Sequence, residues 1–122
     1  MFKIGNRYTR AEIHNTLGGS MQSCLPTRNG SVVCGCFIKG RLNPGAPHRV
    51  LAGTGKIIES SARVFASQKE PVPVFIKHRV NESEYVGDFR VASLSQDPSL
   101  ISREQQLTGR HDITIVLDLV NV

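Results

Sequence analysis

The chain lacks any apolar run long enough to cross a membrane, and its first residues, MFKIGNRYTR, contain no signal-peptide core. A helical span needs about 20 apolar residues in succession, and a secretory signal needs an apolar segment behind its basic start. Cysteine is also scarce: the 122 residues include three, an odd number without the spacing of a disulfide framework. We therefore expect a cytoplasmic protein in a reducing compartment, with no membrane partner.

A complete phosphate-binding loop is missing as well. The segment GTGK at 53–56 matches the end of such a loop. A Walker A motif would also need glycine at position 50 and Ser or Thr at position 57. Those positions hold Val50 and Ile57, so the segment is predicted to be a tight turn and not the nucleotide site of an NTPase.

Groups for nucleophilic or metal-assisted catalysis do not form a recognisable motif. Cys24 and His14 could act as nucleophile and base only beside a third orienting group, which the sequence does not indicate. Glu82, Glu84 and Asp88 lie in or beside a predicted hairpin, where carboxylates usually face solvent. We therefore expect a binding protein that has no catalytic residues and no cofactor.

The three cysteines and one histidine are of the residue types that bind zinc, so Cys24, Cys34, Cys36 and His48 could together form a zinc site. Cys34 and Cys36 flank one glycine in a predicted strand, so their sulfurs lie on the same face. Zinc knuckles usually separate their cysteines by two to four residues. Small buried hydrophobic side chains are therefore the prediction here, and a zinc site is the alternative.

The charge of the chain favours a polyanionic partner. Fifteen Lys and Arg stand against ten Asp and Glu, which gives a net charge of +5, and the isoelectric point is near 9.5. A basic domain of this size commonly binds nucleic acid. The length suits one domain over residues 1–122 with an adequate core.

Local patterns predict an α+β fold that is mainly β: a partly closed β-barrel with two or three short peripheral helices. Thr9 and Glu12 fit a capping box, and Gly18 is expected to end the helix that follows. Pro71 and Pro73 confine the start of the following strand to an edge or a bend. Further helices are predicted at 57–68 and after Asp97, strands at 31–38, 49–52, 72–78, 85–94 and 111–122, and turns at 29–30 and 81–84.

Short motifs follow one another along the chain: Y-x-R at 8–10, IH at 13–14, GG-x-x-Q at 18–22, G-x-G at 53–55, VFIK at 74–77 and YVGDFR at 85–90. Their order resembles the SRA-like domain of McrA-type HNH restriction endonucleases, which is similar to PUA-like β-barrels that read modified DNA bases. The resemblance covers about residues 2–94, and residues 95–122 match it less well.

The resemblance implies a module that binds double-stranded DNA and flips a modified base into a pocket beside the barrel. It would be the targeting domain, or the partner, of a modification-dependent restriction nuclease whose HNH domain cuts. The loop at 18–22 matches the segment that reaches into DNA, so Ser20, Met21 and Gln22 are expected contacts, with Met21 or Gln22 as the wedge. Basic residues expected to contact phosphates are Arg28, Lys39, Arg41, Arg49 and Lys56.

The segment expected to form the pocket departs from that family. Readers of 5-methylcytosine in the SRA group hold the base between aromatic rings beside an acidic residue. Residues 34–56 contain one aromatic, Phe37, and no acid. Asn43, His48 and Thr54 are therefore the side chains expected to read the base edge. Gly55 is expected to let the backbone approach a nucleotide.

Two other functions are compatible with these patterns. The strand at 111–122 could add to the sheet of a partner or of a second copy, which would make the chain a protein-interaction or homodimerising module. RNA binding is the other alternative, because PUA-like barrels also serve there, although Tyr8 and Tyr85 are few aromatics for stacking on single strands.

Overall fold

A computed structural model describes residues 2–40 and 42–122. The described chain forms the helices α1 (Arg10–Leu17), α2 (Lys56–Ser67) and α3 (Pro98–Thr108). Its strands are β1 (Arg7–Tyr8), β2 (Thr27–Arg28), β3 (Ser31–Val32), β4 (Gly35–Ile38), β5 (Arg49–Gly53), β6 (Val72–Arg79), β7 (Glu82–Ser95) and β8 (Ile113–Asn121). The prediction of a mainly β, α+β fold is confirmed. None of these helices has the length and apolarity that a membrane span requires.

Six strands form one mixed sheet, in the order β4-β6-β7-β8-β5 with β1 paired to β7. β4 runs parallel to β6, and the other neighbours are antiparallel. Within residues 2–40 and 42–122 no ladder joins the edge strands β4 and β5, so the sheet is open and closure into a barrel is not observed. β2 and β3 form a separate hairpin whose turn, Asn29–Gly30, was predicted.

Two apolar clusters lie on opposite faces of β6. Val74 and Ile76 belong to the main core, which also contains Phe65 of α2 and Phe89 of β7. Phe75 points the other way, into a second cluster that includes Ile13 of α1. This separation follows from the alternation of side chains along a strand. α2 is the helix predicted at 57–68, and it buries its apolar side against the sheet.

The first helix forms as its capping residues predict. The Glu12 N–H donates to the Thr9 hydroxyl over 3.1 Å, and the Thr9 N–H donates to the Glu12 carboxylate over 2.8 Å. Gly18 ends the helix with φ at +82°, a backbone conformation that glycine adopts without steric cost. Asp97 likewise caps α3, which is longer than the short helix expected there.

The turn between β6 and β7 is shorter than predicted. Val80 and Asn81 form it, and residues 82–84, which were expected in the turn, pair with β6. Their carboxylates are therefore not merely solvated: Glu82 lies 3.0 Å from Arg7, and Glu84 lies 2.8 Å from His78. The third hairpin carboxylate, on Asp88, accepts a hydrogen bond of 2.6 Å from the Tyr85 hydroxyl.

One strand prediction needs a smaller adjustment, and a second is confirmed. The strand expected over 31–38 is interrupted at Val33–Cys34, which separates β3 from β4. The start of β6 lies at a local edge as predicted, because β4 pairs with it only from Val74 onward. Pro73 therefore lacks a neighbour on the β4 side, where its missing N–H would break a ladder.

The last strand has both edges occupied. β8 pairs with β7 on one side, and through Ile113–Asp118 it pairs with β5 on the other. The idea that this strand adds to the sheet of a partner or of a second copy is therefore wrong in that form, because strand addition requires an unpaired edge.

Candidate nucleic-acid interface

One open cleft of about 890 Å³ lies where the two edges of the sheet face each other. Cys36 and Ile38 of edge strand β4 line it, as do Leu51 and Gly53 of edge strand β5. The cleft is therefore the gap left by the unclosed sheet. Its volume is in the range of about 300–1,000 Å³ that small-molecule sites occupy.

The loop after α1 forms one rim of the cleft and is braced from beneath. The Arg10 guanidinium donates to the backbone carbonyls of Ser20 and Ser23. The Ser20 hydroxyl accepts hydrogen bonds from the N–H groups of Gln22 and Ser23. Met21 at the tip is 47% exposed and lines the cleft together with Gln22. The tip is therefore presented in a fixed backbone conformation.

The hairpin of β6 and β7 forms the opposite rim. Ile38, Lys77 and Ser83 are paired across three neighbouring strands, and all three line the cleft. At the hairpin tip Val80 is 76% exposed and also lines the cleft, beside Asn81. This rim combines one cation with short polar and apolar side chains.

Two polar side chains in the cleft wall are buried and have unused hydrogen-bonding groups. Asn43 is 7% exposed, and its Oδ1 accepts from the Leu51 N–H over 2.8 Å. That bond fixes the amide, and its Nδ2 has no hydrogen-bond partner among the described residues. Ser83 is 6% exposed, and its hydroxyl likewise has no partner in that part of the chain. Neither group is among the fully buried, unpartnered side-chain atoms of the described residues, so both reach the open cleft, where water or a ligand can bond them.

An arginine–aspartate pair closes the β5 side of the cleft. Arg110 donates from Nε and Nη2 to the two carboxylate oxygens of Asp112, over 3.1 Å each. Its Nη1 donates to the Leu42 carbonyl over 2.6 Å, which ties the connection before β5 to the start of β8. The hydrogen bonds from Arg110 hold the pKa of Asp112 below its ordinary value. A carboxylate therefore stands in the cleft wall in its charged form.

Thiols line the base of the cleft. Cys24 and Cys36 both contribute to it, and the buried Cys34 Sγ lies 3.9 Å from the Cys36 Sγ. The hydrogen bond between this pair lowers the pKa of Cys36 and raises that of Cys34, whereas burial raises the pKa of Cys24. Within the described residues no group of three or more His, Cys, Asp or Glu could hold a metal ion, so the zinc alternative has no support there.

Several side chains predicted as base or wedge contacts do meet at the cleft. Met21, Gln22, Asn43 and Thr54 line it. Thr54 is held by a 3.0 Å hydrogen bond from its hydroxyl to the Asp112 carbonyl. Two more belong to the supporting backbone: Ser20, described above, and Gly55, which is the N-cap residue of α2.

Most of the basic residues predicted as phosphate contacts lie elsewhere. Arg28 covers Gly18 on the outer side of the loop, and Lys39 is exposed without lining the cleft. Lys56 borders a separate pocket of about 550 Å³ between α2 and the β2–β3 hairpin. Arg41 lies outside the described residues.

His48 and Arg49, which were also predicted contacts, are engaged with protein groups. The His48 ring packs edge-on against Phe89 with centroids 5.7 Å apart. Arg49 donates to Asp118 over 2.6 and 3.0 Å and to Glu104 over 3.3 Å. Because these carboxylates already pair with the guanidinium, Arg49 has little capacity left for a phosphate. Its position supports a structural role.

The Arg49 pair predicts an acid-dependent part of the stability. Its hydrogen bonds lower the pKa of Asp118, so the stabilisation is present above the unfolded pKa of about 4 and is lost as pH falls through the lower folded value. We expect Asp118→Asn to lower the free energy of unfolding by about 1 kcal/mol at pH 7, since both partners are partly solvated. Urea unfolding at pH 7 and pH 3 measures this.

The matched control for Asp118 is the exposed Glu70, which carries no ion pair in the described structure. Glu70→Gln should change the free energy of unfolding by less than about 0.5 kcal/mol at either pH. If Asp118→Asn lost as much stability at pH 3 as at pH 7, the acid dependence would have another origin.

Pattern reasoning missed six polar residues of the cleft as contacts: Arg10, Lys77, Asn81, Ser83, Arg110 and Asp112. Lys77 and Ser83 sit in strand patterns whose polar positions look like an ordinary solvent face. Arg110 and Asp112 follow α3, in the part of the chain that the family resemblance covers least. The only available signal was the Arg-x-Asp spacing before a predicted strand, which occurs in many surface turns.

Comparison of the chain with protein-family models, with curated proteins and with solved structures finds no match. The case for a function therefore rests on the residues of the cleft and on the motif order described above.

Proposed function

We propose that the chain is a DNA-binding module that accepts a flipped, modified base in the cleft between the edges of its sheet. The observation that carries this is a pair of polar groups without protein partners, Asn43 Nδ2 and Ser83 Oγ, on two largely buried side chains that face one cleft with a braced loop at its rim. An amide donor and a hydroxyl are the groups that read the edge of a base. The hydrogen bond from the Leu51 N–H keeps the Asn43 amide aligned before the ligand arrives.

The open sheet supports the proposal that the fold is a partly closed barrel of the PUA-like or SRA-like kind. A PUA-like or SRA-like barrel that is only partly closed has a gap between the two edge strands of its sheet. The edge strands β4 and β5 face each other across such a gap here. Such a gap admits a flat group from the side. In this proposal the sheet is the partly closed barrel, and its helices lie at the periphery.

The apolar rim supports entry into a base stack. Of the eight large hydrophobic side chains exposed in the described chain, Met21, Ile38, Leu42 and Val80 line this cleft. A DNA-binding protein that extrudes a base commonly fills the vacated space with an apolar side chain. Met21, at the end of the loop held by Arg10, is the proposed wedge.

The charge supports a phosphate backbone as the partner. The chain carries +5 overall, and Lys77 is an exposed cation on the hairpin rim. Phosphate contacts position a reader on the duplex, and the groups inside the cleft supply the discrimination. We further propose that the module targets, in cis or in trans, a modification-dependent nuclease whose HNH domain performs the cleavage.

The test is a charge reversal at the rim with a matched control. Lys77→Glu should weaken duplex binding about 10-fold at low salt, because it replaces a phosphate contact by a repulsive charge. It should also reduce the slope of log K against log salt by about one. Lys69 is exposed and does not line the cleft, so Lys69→Glu changes the net charge equally and should alter affinity less than about 2-fold. Fluorescence anisotropy with a 20-base-pair duplex measures both.

The exposed apolar rim also fits a second function, a protein-binding module. In that case DNA affinity would be weak, and the two charge reversals would have equal effects. Single-stranded RNA that bound more tightly than the duplex would favour the RNA-binding alternative. Either result would remove the support for a base reader.

A further inference from the structure

We infer that the modified base carries a bulky, hydroxyl-rich substituent, such as a sugar, and not a methyl group. This inference rests on the proposed function, because it names the ligand of the same cleft. The residues that carry it are short polar side chains on both walls: Asn43 and Asp112 on the β5 side, and Asn81 and Ser83 on the hairpin side.

The volume of the cleft exceeds what a base needs. A cavity of about 150 Å³ lined by aliphatic side chains is enough to hold a six-membered ring. The cleft measures about 890 Å³, so a base occupying it would leave most of the space to solvent. The cleft therefore has room for a base together with a substituent as large as a sugar.

Polar groups stand on both walls of that space. The Asn43 amide donor and the Asp112 carboxylate belong to the β5 side, and the Ser83 hydroxyl belongs to the hairpin side. A substituent with several hydroxyls can donate to a carboxylate and accept from an amide in the same pose.

The lining is poor in the groups that would hold a methylated base. Phe37 is the single aromatic among the lining residues, and it is itself buried in the main core. Stacking between two rings is therefore not available, so binding must draw on hydrogen bonds. A methyl group offers none, whereas a sugar offers several.

The experiment is a panel of duplexes that differ at one cytosine: unmodified, 5-methyl, 5-hydroxymethyl and glucosylated 5-hydroxymethyl. We expect the glucosylated duplex to bind at least 10-fold more tightly than the 5-hydroxymethyl duplex at one fixed salt concentration. Ser83→Ala should reduce that ratio to about 3-fold or less, because a hydroxyl partner in the cleft is removed. Ser102 lies exposed on α3, so Ser102→Ala should leave the ratio unchanged.

The outcomes separate this inference from the proposed function. Tightest binding to the 5-methyl duplex overturns the inference and keeps the base reader. Equal binding to all four duplexes, still weakened by Lys77→Glu, overturns the inference and leaves a DNA-binding module without base discrimination. Absence of binding to every duplex overturns both. Thermal unfolding of Ser83→Ala shows whether a lost ratio reflects the hydroxyl or the fold. If that variant is unfolded, Asn81→Ala at the exposed hairpin tip replaces it, with the same expected reduction.

Discussion

Phe75→Ala is expected to lower the free energy of unfolding by about 3–5 kcal/mol, the usual cost of emptying a buried phenylalanine site. The Phe75 side chain has no exposed surface. Its ring lies edge-on to Phe2 at 5.0 Å and to Tyr8 at 6.2 Å, and tilted to Tyr85 at 5.6 Å. It therefore joins the N-terminal segment to β6 and β7. Urea denaturation followed by circular dichroism measures the loss.

The Phe75→Ala substitution is also expected to disturb the cleft, because Phe75 packs against residues that support it. Its cluster contains Cys36, which lines the base of the cleft, and Ile13 of α1, whose Arg10 braces the loop. We therefore expect this variant, where it remains folded, to bind duplex DNA more weakly as well. Ile57→Ala is the control, since that side chain is 78% exposed and should cost less than about 0.5 kcal/mol. Equal losses in both variants would contradict the assignment of the second core.

The second large effect is expected at Asn43, where stability and binding can be separated. Asn43→Ala leaves the Leu51 N–H buried without its acceptor, which should cost about 1–3 kcal/mol. Asn43→Asp keeps an oxygen that can accept from Leu51 but removes the amide donor. We expect both variants to lose at least 10-fold in affinity for the cognate duplex, and Asn43→Ala to lose more stability. Anisotropy and urea titrations of the same preparations measure the two quantities.

Asn15 provides the control for the added charge. It is exposed on α1 and does not line the cleft, so Asn15→Asp changes the net charge by the same amount as Asn43→Asp. Its affinity should fall less than about 2-fold. If Asn43→Asp bound as tightly as the unaltered protein, the Asn43 donor would not contact the ligand.

Local chemistry carried most of the fold prediction. The capping box at Thr9, the Asn29–Gly30 turn and the Asp97 cap are decided by neighbours in sequence, and all three form as predicted. The length of the β6–β7 hairpin was not decided in this way. Asn81 takes a positive φ, residues 82–84 continue the ladder, and Glu82 and Glu84 contact Arg7 and His78; the local pattern did not indicate these contacts.

The site was less accessible than the fold because it is assembled from distant segments. Asn43 was predicted from its type in a loop without competing acids. Asp112 lies in the same cleft because α3 returns the chain beside β5. Arg49 does not line the cleft, because its side chain pairs with Asp118, which lies opposite it on β8. Long-range pairing decides whether a charge meets a ligand or another side chain, and one sequence does not contain that information.

The open sheet has a further consequence for how such a site can change. The strands on either side of the cleft, β4 and β5, are consecutive along the chain, and residues 39–48 are the whole connection between them. Each strand keeps its own ladder, β4 with β6 and β5 with β8, whatever the length of that connection. Insertions or deletions there that spare Asn43 and its bond to Leu51 would reset the width of the opening while both ladders stayed in place. Ligand size can therefore diversify through one short segment.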